Sequence, residues 1–121
     1  MKDVFVDSSA FFAYAVSEDE HYGQAGALFE RAESESWRLV TTNAILYEAY
    51  ALFVNRADDG RRHGLRFLDG VRQGMCRVER VSATDEDRAE SVLRTHADKT
   101  YSYVDALSFV VMERLGVREA I

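Results

Sequence analysis

The chain contains no proline, a single cysteine (Cys76) and only seven scattered glycines in 121 residues. With no proline and no glycine-rich tract, nothing marks a linker on which to divide it, so residues 1–121 read as one domain. One cysteine excludes an internal disulfide framework. In Met75-Cys76-Arg77-Val78-Glu79 the thiol alternates with charge, as at an inward strand position. No apolar stretch reaches the roughly 18 residues that a membrane span needs. Ala13-Tyr14-Ala15 imitates a signal-peptidase site, but Asp3 and Asp7 interrupt the segment that should be cationic and then apolar. The expected compartment is the cytoplasm. Basic residues are also short, 15 against 21 acidic, giving a net charge of −6. That balance argues against a protein that wraps duplex DNA by electrostatics.

What is present is a foldable composition. Hydrophobic residues make up 47% of the chain, including seven Phe, six Tyr and one Trp, which excludes disorder. Charge is unevenly spread. Residues 1–35 carry Lys2 and Arg31 against eight acids, whereas the stretch from Arg56 to Arg80 holds seven arginines against four acids, net +3. That middle stretch, Arg61 and Arg62 included, is a weak candidate for meeting RNA, although a solvated helix face explains most charge runs.

Short apolar runs alternate with helical patterns. Val4-Phe5-Val6, Leu39-Val40-Thr41 and Cys76–Val81 read as strands, and Val117–Ile121 as the start of a fourth. Helices are expected over Ala10–Val16 capped by Ser8, over Glu20–Glu33, and after Asn43 as a cap until Asp58-Asp59-Gly60 breaks the pattern. A further helix carries the stripe Leu65, Leu68, Val71 and Met75. Thr84 with Asp87 resembles a capping box for a helix ending near Ala97, and Ser102 opens Tyr103–Leu115, terminated by Gly116. This alternation predicts a three-layer α/β/α domain with a mostly parallel central sheet. In such sheets ligands bind beyond the carboxyl ends of the strands.

The least charged segments direct attention to three residues. Val4–Ser17 holds one charge, Asp7; Thr41–Asn55 holds one, Glu48; Tyr101–Met112 holds one, Asp105. In a chain 30% charged, segments of this length should hold several charges each, of both signs. A lone carboxylate in core-building sequence is costly unless it is paired or binds a cation, and no Lys or Arg lies in these runs. Three carboxylates from separate elements at one rim suit Mg²⁺ or Mn²⁺. Such ions can activate water and support in-line displacement at phosphorus. A capping role alone would also account for Asp105, three residues after Ser102, and a turn with an N-cap for Asp7-Ser8. Glu48, between Ile45 and Leu52, has no comparable structural explanation. Ser8, Asn43 and Ser102 lie beside the acids, where they could orient carboxylates, with capping the competing role.

The ordered set Val4-Phe5-Val6-Asp7-Ser8-Ser9-Ala10, Thr41-Thr42-Asn43-Ala44-Ile45-Leu46-Tyr47-Glu48 and Tyr101-Ser102-Tyr103-Val104-Asp105-Ala106-Leu107-Ser108-Phe109 resembles the PIN-domain ribonucleases, of the kind found as VapC toxins in VapBC toxin–antitoxin pairs. The resemblance continues through Val111-Met112-Glu113-Arg114-Leu115-Gly116-Val117-Arg118-Glu119-Ala120. It implies a parallel sheet between helices and endonucleolytic RNA cleavage dependent on Mg²⁺ or Mn²⁺. It places the family's first three acids on Asp7, Glu48 and Asp105. It also implies a homodimer and a cognate antitoxin protein. The family continues into a strand carrying a fourth acid, whereas this sequence stops at Ile121 with Glu119 before the expected position, so a last strand cut short is expected. A non-catalytic PIN-like module that binds RNA or protein is the alternative. Three widely separated histidines (His21, His63, His96) share no zinc-ligand spacing.

Overall fold

The computed structural model describes residues 1–121. Its elements run β1 (Asp3–Phe5), α1 (Ser8–Ala15), α2 (Tyr22–Ser34), β2 (Arg38–Thr42), α3 (Asn43–Arg56), α4 (Gly60–Arg72), β3 (Arg77–Glu79), α5 (Ala83–Thr95), α6 (Tyr103–Leu115) and β4 (Glu119–Ala120). The four strands form one sheet of order β3-β2-β1-β4, and every pairing is parallel. The chain steps one way across the sheet from β1 to β2 to β3, then crosses back to β4. Right-handed crossovers therefore place α1–α4 on one face and α5–α6 on the other. This is the expected three-layer α/β/α architecture.

The core follows from that arrangement. Phe5, Val6, Phe11, Phe29, Ile45, Ala49, Phe53 and Phe67 form its main cluster. Phe11 and Phe67 pack with ring centroids 4.8 Å apart, and Phe53 meets Phe67 at 5.5 Å. Ala89, Ala106, Leu107 and Val110 form a second cluster beneath α5 and α6. At the amino edge of the sheet, Arg38 grips Asp3 across the β1–β2 pair, Nε to Oδ1 at 2.6 Å and Nη2 to Oδ2 at 3.0 Å, which fixes the register Asp3↔Arg38.

Several local expectations are corrected. Asp7, not Ser8, caps α1, because its Oδ1 accepts from the Ala10 N–H while Ser8 has already entered the helix. Thr42, not Asn43, caps α3 by accepting from the Ile45 N–H at 3.2 Å. The box that opens α5 is Ser82 with Asp85 rather than Thr84 with Asp87, so that helix begins earlier than expected. The buried face of α4 is Gly60, Gly64 and Phe67; Leu65 is exposed and Met75 lies beyond the helix. Helix–helix contact rather than apolar spacing decides that face, since a Cβ on Gly60 would lie 2.0 Å from the Phe53 carbonyl oxygen. The third strand is only three residues long, and Cys76 precedes it, half-buried. By contrast, Ser102 caps α6 and Gly116, at φ +69°, ends it, as read from the sequence.

Candidate active site at the carboxyl edge of the sheet

Asp7 emerges from β1 at the edge where the strands end. The Val6 N–H donates to the Val40 carbonyl at 2.9 Å and the Asp7 N–H to the Ile121 carbonyl at 3.1 Å, so the backbone at Asp7 is held by both neighbouring segments. The chain leaves β1 toward one face of the sheet while β4, beside it, is reached across the other. Asp7 thus stands at the switch point where α/β sheets open a crevice. Its Oδ1 accepts from the Ala10 N–H at 3.0 Å and from Ser9 Oγ at 2.8 Å. Both donors converge on one oxygen, which leaves Oδ2 without a protein donor.

Ser8 is buried, and its Oγ donates to Glu48 Oε1. Consecutive residues of one segment thereby carry the first acid and bind the second. Glu48 lies in the second turn of α3, one turn beyond Ala44 on the same helix face. Ala44 in turn packs against the cluster that Ala89 of α5 forms with Ala106, Leu107 and Val110 of α6. Because α6 leads into β4, which is parallel to β1, its first turn lies at the same carboxyl edge. Asp105 sits in that turn. Its Oδ2 accepts from the Ser102 N–H at 2.9 Å while its own N–H donates to Ser102 Oγ at 3.0 Å, completing a capping box.

Burial separates the three. Asp7 and Glu48 are half-buried, whereas Asp105 is exposed, so the cost of burying a lone charge does not apply to Asp105. No group of three or more His, Cys, Asp or Glu side chains is drawn together tightly enough to form a ready-made metal site. The donor set nevertheless suits a hard divalent cation. Each acid keeps one oxygen fixed by a protein donor and the other free, which is how carboxylate ligands are oriented by their surroundings.

The remaining named residues fall elsewhere. Asn43 Oδ1 accepts from the Val81 N–H at 2.9 Å, tying the start of α3 to the segment after β3 rather than orienting an acid. Arg61 and Arg62 are exposed on α4 and hydrogen-bond none of the three carboxylates; Arg62 approaches Asp59 at 3.6 Å. Two features escaped sequence reading. A mostly apolar cleft of about 260 Å³ opens between α1, α2 and α3, lined by Ser9, Phe12, His21, Leu28, Arg56 and Ile121 among others and by none of the three acids. A charge network also links β3, α5 and α6. Arg114 donates to both oxygens of Asp85 (2.9 and 2.7 Å) and to Glu79 (2.9 Å), and Arg77 adds a 2.8 Å contact to Glu79. Asp85 is only 1% exposed, and the Arg114 guanidinium holds its carboxyl down at about 2. The Ser82-x-x-Asp85 spacing was the available signal for Asp85, but nothing in the sequence pairs it with Arg114.

The PIN domain profile matches residues 4–119. The chain belongs to the PIN-domain family. It is VapC-like within that family, since it is 32% identical over 117 residues to the 23S rRNA-specific endonuclease VapC20 of Mycobacterium tuberculosis, covering 97% of this chain and 86% of that protein. It is also similar to a VapC ribonuclease of Archaeoglobus fulgidus, 29% identical over 116 residues, covering 93% of this chain and 72% of the relative. The crystal structure of M. tuberculosis VapC20, described as a sarcin–ricin loop cleaving toxin, superposes with a TM-score of 0.83 at 31% identity, covering 97% of this chain and 86% of that one. The PIN-domain fold matches the architecture described above.

Proposed function

We propose that this VapC-like PIN domain is an endoribonuclease that hydrolyses RNA phosphodiester bonds with a divalent metal held by Asp7, Glu48 and Asp105, and that it acts as the toxin of a toxin–antitoxin pair. The observation that carries the reading is the Ser8 bridge, which places the Asp7 segment against Glu48 at the carboxyl edge where α6 presents Asp105. The VapC relatives, named as ribonucleases, support the RNA substrate and the toxin role. A cognate antitoxin protein, a homodimer and a cytoplasmic location belong to the same proposal.

A Mg²⁺ or Mn²⁺ ion held there would supply Lewis acidity to the scissile phosphate and to water. The protein's contribution is orientation. Ala10 N–H and Ser9 Oγ direct the free Oδ2 of Asp7 outward, Ser8 sets the rotamer of Glu48, and the Ser102 box fixes the backbone that carries Asp105. In this reading the attacking group is water, and the Ser8 and Ser9 hydroxyls serve as donors that orient Glu48 and Asp7.

The test is cleavage of a labelled single-stranded RNA pool with Mn²⁺, with Mg²⁺ and with EDTA, using Asp7→Asn as control. Cutting that requires metal and disappears in the variant is expected. RNA binding without cutting under any condition would favour a non-catalytic PIN-like module.

A further inference from the structure

The outer face of α4 is basic in an acidic protein. Gly60–Arg72 carries Arg61, Arg62, Arg66 and Arg72 against one acid, Asp69. All four arginines are exposed. Helical spacing places them on the half of the helix opposite its buried residues Gly60, Gly64 and Phe67. Arg61, Arg66 and Arg72 make no ion pair or hydrogen bond within the chain. The cost of gathering like charges is therefore not repaid internally.

Beside this face lies a hollow of about 300 Å³. Phe11, Phe67 and Met75 line it with Tyr14, His63 and Arg66. Tyr14 is 43% exposed, and the His63 ring lies nearly parallel to Phe53. Unpaired guanidinium groups beside the exposed ring surface of Tyr14 and His63 match what an unpaired, flexible polyanion requires, with contacts to phosphates and a surface on which a base stacks, while Phe11 and Phe67 are buried and form the floor of the hollow. An acidic polypeptide is the alternative occupant, and the polyglutamate arm of the test separates it from RNA. The hollow is distinct from the acid edge. Tyr14 lies in the last turn of α1, about 10 Å along the helix from Asp7, and Met75 just precedes β3 at the opposite edge of the sheet.

We propose that the α4 arginine face and the adjoining hollow form a second RNA-binding surface, an exosite that holds single-stranded substrate away from the three acids. It deepens the endoribonuclease reading, yet it is tested by binding alone, so loss of one does not imply loss of the other.

The experiment measures binding of a fluorescein-labelled 20-nucleotide oligouridylate by anisotropy in EDTA, across a series of salt concentrations. The variant R61Q/R66Q/R72Q is compared with R88Q/R94Q/R118Q, which removes the same charge elsewhere on the surface. Circular dichroism confirms that both fold. The first variant is expected to bind at least tenfold more weakly, with a salt dependence shallower by about 2 in log–log slope. The second should stay close to wild type. Equal losses in both variants, an unchanged first variant, or no RNA binding by the wild type would overturn the exosite. Binding of polyglutamate through the same three arginines as tightly as RNA would overturn it in favour of an acidic protein partner.

Discussion

Ser8 Oγ donates to Glu48 Oε1 across 40 residues of sequence, making the residue next to the first acid the anchor of the second. A hydroxyl that orients a metal-binding carboxylate acts on the metal rather than on the fold. Ser8→Ala is therefore expected to raise the Mn²⁺ concentration for half-maximal RNA cleavage about tenfold. The melting temperature should change little by comparison. An unchanged metal requirement would remove Ser8 from this role.

Arg114 and Asp85 form a structural pair with a pH signature. The carboxyl of Asp85 is lowered from an ordinary 3.8 to about 2, chiefly by its hydrogen bonds to Arg114. A carboxyl depressed on folding adds stability that is complete above its unfolded value. That stability falls away as the pH drops from about 4 toward 2. Urea denaturation across this range should show the wild type losing stability faster than Arg114→Ala. At pH 7 the substitution should cost about 3 kcal/mol, because Asp85 is left buried without its partner.

The contact of α4 with α3 rests on Gly60. A Cβ there would meet the Phe53 backbone oxygen at 2.0 Å, and backbone cannot move aside as a side-chain tip can. Gly60→Ala should destabilise the domain by about 2 kcal/mol or more despite the better helix propensity of alanine. Gly23→Ala, where nothing lies within 4 Å, is the matched control. Thermal melts of the two variants test the contrast.

Cys76 should be a slow thiol. Burial pushes its pKa up to about 11, so little thiolate forms at pH 8. Iodoacetamide modification of the native protein is expected to be many-fold slower than that of the urea-unfolded chain, as read by mass spectrometry. Equal rates would place the thiol in solvent.

The alternation of strands and helices made the α/β/α class readable, and the isolation of Asp7, Glu48 and Asp105 within low-charge segments singled out the three acids of the proposed site. Those signals are legible because they depend on burial and on position along the chain. What the sequence did not reveal depends on contacts across it. Asp7 and Thr42 each displaced the neighbouring residue as helix cap, since any of several small polar side chains can serve and the backbone angle decides. Asp105 is exposed rather than buried, because the first turn of α6 faces solvent while the rest of the helix builds the core. Arg114 and Asp85 are 29 residues apart and share no periodicity.

In the proposed function, acids from three separate elements act as one metal site, although their side chains are not drawn into a tight cluster. Calorimetric titration of Mn²⁺ into the wild type and into Asp7→Asn, Glu48→Gln and Asp105→Asn tests it most directly. Each single substitution is predicted to weaken binding at least tenfold. Asp105→Asn binding Mn²⁺ as tightly as the wild type would overturn the shared site and leave Asp105 as a helix cap.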